Sequence, residues 1–400
     1  MTSTHTDAGG WFDAERCTVE DLARAVDRHT VLADHPYAEA VEQDVLVYGD
    51  RARKAAATEE GRRAVQAELA RALLHGPGVV LFPGAFPDLT VVDRATEAFT
   101  AMIAAQAAAG ATAGDHFATP GANDRLWGAL DKLALRDPEL FADYYANDVL
   151  ALVAQAWLGP GYQVTSQVNV VNPGGAAQVP HRDYHLGFMS AAQAARFPAH
   201  VHRLSPALTL QGAVAHCDMP VETGPTLYLP YSQHDAAGYV AVHRPEVASY
   251  FADHHVQLPL RAGDAVFFNP ALIHGAGANR STDVRRMANL LQVSSAFGRA
   301  METVDRAAVV AAVYPALRRR RAAGMDGRAL GNVVAAAAEG YPFPTDLDRD
   351  QPVDGLAPES QADLLRHALE QDWQPAELMR SLTAHHARRT RASAPQPPPP

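Results

Sequence analysis

The chain has 400 residues, 48% of them hydrophobic and 20% charged, with a formal net charge of -11. That acidic balance argues against nucleic acid as the main partner, because phosphate binding needs clustered Lys and Arg. Cys17 and Cys217 are the only cysteines, so neither a disulfide framework nor a thiolate metal site can be built within one chain.

The start, "MTSTHTDAGGWFDAER", has no apolar run behind a basic head, and no stretch approaches the roughly 18 apolar residues of a spanning helix. The expectation is a soluble, cytoplasmic protein with no membrane partner. Residues 1–10 read as a disordered N-terminus. Thr18 and Asp21 then give a capping-box pattern ahead of Val19, Leu22, Ala23 and Val26. In "GRRAVQAELARALLHG", Val65, Leu69 and Leu73 recur every four residues and Gly76 supplies a stop. "GVVLFPGAFPD" predicts a short buried strand ended by Pro83 and Gly84, and helices are expected from about 91 to 109 and from about 140 to 158.

After Gly159 the character changes. "YQVTSQVNVVNPGG", "PALTLQGAVAHCD", "TLYLP", "HHVQLPL", "GDAVFFNP" and "RRMANLLQVSSAF" are strand-like runs punctuated by Gly, Pro, Asn and Asp. Short strands at close spacing without long intervening helices predict an antiparallel sandwich or jelly roll. From Met301 the helical pattern returns, with Leu364, Leu365, Ala368 and Leu369 forming an apolar stripe behind Ser360. Arg318 to Arg321 read as a solvated helix face, and residues 389–400 as a disordered Pro-rich tail. The expected organisation is a β domain with N-terminal helices over 11–300 and a helical extension packed on it over 301–388.

"VPHRDYHLGF", from Val179 to Phe188, carries the chemistry. On an extended segment His181, Asp183 and His185 share one face while Arg182 and Tyr184 take the other. His181 and Asp183 can then converge an imidazole nitrogen and a carboxylate oxygen on one cation. The third ligand must come from elsewhere, and His274 in "GDAVFFNPALIHGAGANRS" is the strongest candidate, because Gly275 and Gly277 let the backbone pass close to a bound group. Two histidines and one carboxylate with open positions form the facial triad of non-haem Fe(II) oxygenases. His185 is assigned a supporting or substrate-facing role, since a fourth ligand would consume an open position. His216, His234, His254 and His255 read as core or surface histidines.

Taken together, "HRDYH", "HGAGANRS" and Arg285 resemble the phytanoyl-CoA dioxygenase family, as does "ETGPTLYLPYSQH", in which Tyr231 stands where the family usually has glycine. The resemblance covers roughly residues 78–297. It implies a mainly β core with helices, a double-stranded β-helix (cupin-like jelly roll) flanked by N- and C-terminal helical extensions. It also implies Fe(II) held by His181, Asp183 and His274, with 2-oxoglutarate and O2 as cosubstrates and ascorbate as a candidate stimulant. The far carboxylate of 2-oxoglutarate needs a fixed cation, for which a guanidinium is well shaped. Arg285 is the first choice and Arg286 the next; neighbours on a strand face opposite sides, so only one can enter the barrel. Gln167 and Asn169, alternate on one strand, are candidates to reach cosubstrate or substrate, and Thr226 and Gln211 have weaker claims. Ala276 replaces a frequent serine, which removes one hydroxyl partner for the cosubstrate.

The expected activity is hydroxylation of an unactivated C–H bond of a small molecule, such as a natural-product intermediate, an amino-acid derivative or an acyl thioester, with release of succinate and CO2. Retention of Asp183, where related halogenases have a small residue, favours hydroxylation or another hydrogen-abstraction outcome such as desaturation or cyclisation. The alternatives are a zinc-dependent hydrolase using the same triad and a non-catalytic metal-binding cupin-like sensor or scaffold. A monomer or homodimer is expected, with the terminal helices as a lid over the barrel mouth.

Overall fold

The computed structural model describes residues 10–110, 122–183, 185, 189–352 and 355–390. The segments expected to be disordered fall largely on residues 1–9 and 391–400, outside the described residues, as does Tyr184. The last helix, Pro375–Arg389, runs into the start of the expected tail.

Eleven short strands, among the described residues, form two sheets. They are β1 (Ala40–Glu42), β2 (Val45–Val47), β3 (Val79–Phe82), β4 (Asn123–Leu126), β5 (Gln163–Val171), β6 (Thr209–Ala215), β7 (Thr226–Leu229), β8 (Val256–Gln257), β9 (Ala265–Phe268), β10 (Ile273–Ala276) and β11 (Arg286–Ser294). The large sheet has the order β1-β2-β3-β9-β6-β11-β5-β4 and the small one β10-β7-β8. All pairings are antiparallel except β2 with β3. This is the expected jelly-roll core with helices at both ends.

Strand alternation sends successive side chains to opposite faces, and both faces of the large sheet are covered. Leu46, Val80, Phe82, Val214, Phe267 and Leu291 join an apolar core shared with the helices. Val47, Leu81, Ala213, Val266 and Phe268 face the small sheet and pack with its Tyr228. Burial on both faces explains why the central strands read as continuous apolar runs rather than alternating ones.

The helical expectations are met with two adjustments. Thr18 and Asp21 do form a reciprocal capping box on the helix Val19–Val26, as Ser360 and Asp363 do on Gln361–Glu370. The segment expected as one helix over 140–158 is two, Pro138–Tyr145 and Asp148–Leu158, because the Asn147 side chain accepts the N–H groups of Val149 and Leu150 and starts a new helix. The C-terminal helices pack on the outer, helical side of the large sheet, where Val309, Val313, Leu317 and Leu365 share the core with Leu133 and Phe141. Among the described residues none that lines the central cavity lies beyond Met301, so these C-terminal helices do not supply the expected lid.

Two backbone positions fasten the site-bearing strands. Gly224, at φ +74°, lies so close to the Gly277 and Ala278 carbonyls that a Cβ would sit 2.4 Å from either oxygen, which seats the turn before β7 against the end of β10. Tyr231 adopts φ +65°, the left-handed region that explains the family's preference for glycine there. Its hydroxyl sits 2.8 Å from Thr30 Oγ1 and its ring is buried. A left-handed non-glycine residue costs about 1–2 kcal/mol, and burying a large side chain contributes about 1.5–3 kcal/mol. Tyr231→Ala, which keeps the strain and loses the ring, is therefore expected to destabilise by about 1–2 kcal/mol more than Tyr231→Gly in denaturant titrations. Equal losses in the two variants would show that the backbone there is relaxed.

Candidate metal centre

The inner face of the large sheet and the small sheet enclose a cavity of about 410 Å³. Register decides which side chains enter it. Arg286, Ala288, Leu290 and Gln292 of β11 lie opposite Val171, Asn169, Gln167 and Thr165 of β5, and the last three of β11 lie opposite Ala215, Ala213 and Gln211 of β6. These residues, apart from Val171 and Thr165, line the cavity.

His181 and His274 are joined by a reciprocal backbone pair, each N–H donating to the other's carbonyl at 2.9 and 3.0 Å. This places their rings 4.5 Å apart, centre to centre. Asp183 follows, held by its own N–H to the Pro270 carbonyl and by the Tyr239 hydroxyl donating to its carbonyl. One ligand atom from each of His181, Asp183 and His274 falls within 4.8 Å of the others. His181 Nε2 is 3.7 Å from Asp183 Oδ1, and His274 Nε2 is 3.8 Å from Asp183 Oδ2.

The donor chemistry fits a divalent cation. His181 Nδ1 and His274 Nδ1 each lie 2.9 Å from a backbone carbonyl, of Val179 and Leu272. A carbonyl only accepts, so both Nδ1 atoms carry the proton and both Nε2 lone pairs are left facing the Asp183 carboxylate, the usual arrangement behind a metal-binding imidazole. Burial, followed by the neighbouring His181, holds His274 down to about 4, so it is neutral at pH 7. Asp183 Oδ1 is buried with no hydrogen-bond partner, a cost that a cation in that position would remove. The other oxygen, Oδ2, accepts from Gln211 Nε2.

The arginines are arranged differently from the first expectation. Arg285 is on the outer face, half exposed, with its guanidinium 2.9 Å from Asp124 and 3.1 Å from Asn172 Oδ1. Arg286 is buried, lines the cavity and has no hydrogen-bond or ion-pair partner among the described residues. Burial pulls it down to about 10, which leaves it charged at neutral pH. The physical reason is parity: Met287, Leu291 and Val293 pack into the helical core, which sends Arg286 to the cavity. That signal is present in the sequence, in the bulkier apolar set on alternate positions.

Gln167, Asn169, Thr226 and Gln211 all line the cavity. Gln167 Oε1 accepts from Arg125, whose guanidinium lies 5.1 Å from the Trp127 ring. Arg125 and Trp127 were not legible as site residues, because β4 is a four-residue polar strand with no apolar alternation. Asn169 Oδ1 and Gln211 Oε1 are buried without partners. Ala276 lines the cavity, with no hydroxyl to offer.

His185 does not share the face of His181 and Asp183. The extended pairing ends after the His181 bridge, and His185 turns into the protein, with Nδ1 2.7 Å from Thr209 Oγ1 and Nε2 accepting from the Arg299 N–H. Arg182 does point the other way, donating to the Asp235 and Ser232 carbonyls. His234, His254 and His255 bond to backbone carbonyls.

His216 is a core histidine in a closed chain. Thr96 Oγ1 is 2.7 Å from the Val92 carbonyl and donates its only proton there, so it accepts from His216 Nδ1; Tyr144 OH donates to Nε2 and accepts from Asn289. Burial holds His216 down to about 3. Because the folded value lies below the unfolded one of about 6.5, its contribution is fully present above pH 6.5 and is lost as pH falls towards 3. At about 1.4 kcal/mol per unit the full swing is on the order of 5 kcal/mol. His216→Gln is expected to flatten the decline in metal-free stability between pH 6.5 and 4, measured by denaturant unfolding; an unchanged slope would assign the acid sensitivity elsewhere.

Residues 74–287 match the family model for phytanoyl-CoA dioxygenase. The chain belongs to that family. The phytanoyl-CoA dioxygenase match spans the segments that carry His181, Asp183, His274 and Arg286, and the family's Fe(II), 2-oxoglutarate and O2 are its cofactors. No curated protein sequence matches the chain. Among solved structures, the non-heme alpha ketoglutarate dependent epimerase SnoN from nogalamycin biosynthesis is 22% identical, with a TM-score of 0.41 over 60% of this chain and 86% of that one. The non-heme alpha ketoglutarate dependent carbocyclase SnoK from the same biosynthesis is also 22% identical, with a TM-score of 0.41 over 59% of this chain and 87% of that one. No helix among the described residues is long and apolar enough to cross a membrane.

Proposed function

We propose that this member of the phytanoyl-CoA dioxygenase family hydroxylates an unactivated C–H bond of a small molecule, with His181, Asp183 and His274 as iron ligands and Arg286 as the cation for the far carboxylate of 2-oxoglutarate. The observation that carries this reading is the meeting, in one cavity, of a facial His-Asp-His set with an unpartnered carboxylate oxygen and a buried unpaired guanidinium. A hydrolase or a scaffold has no use for that guanidinium. A dicarboxylate cosubstrate does.

The iron, when bound with 2-oxoglutarate and O2, supplies the oxidising chemistry that releases succinate and CO2 and removes hydrogen from the substrate carbon. The protein's part is positioning. The Val179 and Leu272 carbonyls fix the tautomer and angle of the two imidazoles. Arg286 orients the cosubstrate, with Gln167 and Asn169 on the same sheet and Thr226 on β7 of the small sheet, all lining the cavity. Trp127, Met189, Met219, Leu260 and Met301 add apolar wall, which suits a largely apolar small molecule and excludes water. The retained carboxylate of Asp183 supports hydroxylation over halogenation.

An anaerobic titration of the metal-free protein with Fe(II) and then 2-oxoglutarate tests the reading without knowledge of the substrate. A visible charge-transfer band that depends on both components is expected. Tight metal binding with no such band would favour the zinc hydrolase.

A further inference from the structure

We infer that Gln211 is a positioning residue that makes Asp183 a one-oxygen ligand, by occupying Oδ2 and leaving only Oδ1 for the metal. This rests on the assignment of His181, Asp183 and His274 as the metal set and adds a residue to it.

Gln211 lies mid-strand on β6, paired with Gln292 on one side and Phe268 on the other. It is 3% exposed, and its side-chain N–H donates to Asp183 Oδ2. The orientation of this amide is dictated by chemistry: an ionised carboxylate only accepts, so the nitrogen must face Asp183 and the carbonyl oxygen must face away. The result is that Gln211 Oε1 is buried without a partner. An unsatisfied buried carbonyl is costly, so this side chain is not placed for the stability of the metal-free fold alone.

The two Asp183 oxygens are thereby made unequal. Oδ2, 3.8 Å from His274 Nε2, is engaged by Gln211, whereas Oδ1, 3.7 Å from His181 Nε2, is buried and without a partner. A carboxylate free at both oxygens can close on a cation in bidentate fashion and fill one more coordination position. Iron with a bidentate 2-oxoglutarate and O2 needs three positions beyond the protein's three, so a second Asp183 oxygen would compete with them. The Gln211 N–H takes up one Oδ2 lone pair and weakens that oxygen as a metal donor, and it also holds the carboxylate against rotation about its terminal bond, which is otherwise soft.

The test uses Co(II) alone, added to the metal-free full chain, followed by 2-oxoglutarate, with wild type, Gln211→Leu, Gln211→Asn and Asp183→Ala compared. The expected result is a roughly 10- to 100-fold weaker Co(II) affinity in Gln211→Leu, in line with other outer-sphere partners of metal ligands. A changed Co(II) visible spectrum and weaker 2-oxoglutarate binding should accompany it, and the melting temperature of the metal-free protein should fall modestly, because Asp183 Oδ2 loses its buried donor. Gln211→Asn, one methylene too short to reach, should behave like Gln211→Leu. An unaltered spectrum and unaltered affinities in Gln211→Leu would overturn the clamp. A lowered metal-free melting temperature with normal Co(II) spectra would assign Gln211 to packing instead. Failure of wild type to bind Co(II), or binding indifferent to Asp183→Ala, would overturn the metal assignment itself and is separately visible.

Discussion

Asp183→Ala is expected to abolish the Fe(II)- and 2-oxoglutarate-dependent charge-transfer band while leaving the metal-free protein folded. Asp183 is the only carboxylate among the described residues lining the cavity, which Arg125 and Arg286 also line. Removing it leaves two imidazoles facing a positive field, a poor place for a divalent cation. The loss should exceed the roughly 10- to 100-fold typical of outer-sphere partners, because a direct charged ligand is removed. The metal-free fold, by contrast, sheds a buried carboxylate oxygen that has no partner, so its melting temperature is expected to hold or rise. His274→Ala should remove the band as well, and it also takes away a buried ring packed 4.7 Å from Phe268, so some loss of stability is expected there. Anaerobic absorption titration combined with thermal melts reads both effects. Retention of the band in Asp183→Ala would mean that the cation sits elsewhere.

How far the sequence reveals this arrangement depends on where local rules govern. The capping box at Thr18, the apolar stripe behind Ser360 and the strand runs after Gly159 are set by neighbours within a few residues, and they are found where expected. His181 and Asp183 are two apart and so can be paired by inspection, and the glycines after His274 mark a close approach. What fails is whatever depends on partners far along the chain. His185 leaves the ligand face because the strand ends at a two-residue bridge and Thr209 and Ser205 supply better partners. Arg125 reaches the cavity only because β4 pairs with β5, a contact without a local signature. The C-terminal helices carry an apolar stripe that any apolar surface could satisfy; the helical layer on the outer face claims it. Arg285 and Arg286 form an intermediate case. The alternation rule states that only one enters, and the choice requires knowing which face of β11 meets the helices.

That choice yields the second large effect: Arg286→Ala is expected to raise the 2-oxoglutarate concentration needed for half-maximal band intensity by roughly 30-fold to several-thousand-fold, whereas Arg285→Ala leaves it unchanged. Truncating one partner of a buried hydrogen-bonded charge pair costs about 2–5 kcal/mol, and each 1.4 kcal/mol is about a factor of ten in affinity. Arg286 meets the conditions for the full cost, being 6% exposed and without a protein counter-ion among the described residues. Fe(II) affinity in the absence of 2-oxoglutarate should not fall, since removal of a nearby positive charge favours a cation. Arg285, with a side chain 53% exposed, loses a surface pair with Asp124, worth about 0–1 kcal/mol, and an exposed hydrogen bond to Asn172. Arg286→Lys should recover part of the affinity, because the charge is kept while the two-pronged geometry is lost. The reverse ranking, with Arg285→Ala the more damaging, would require β11 to present its other face to the cavity and would contradict the packing of Met287, Leu291 and Val293 into the helical core.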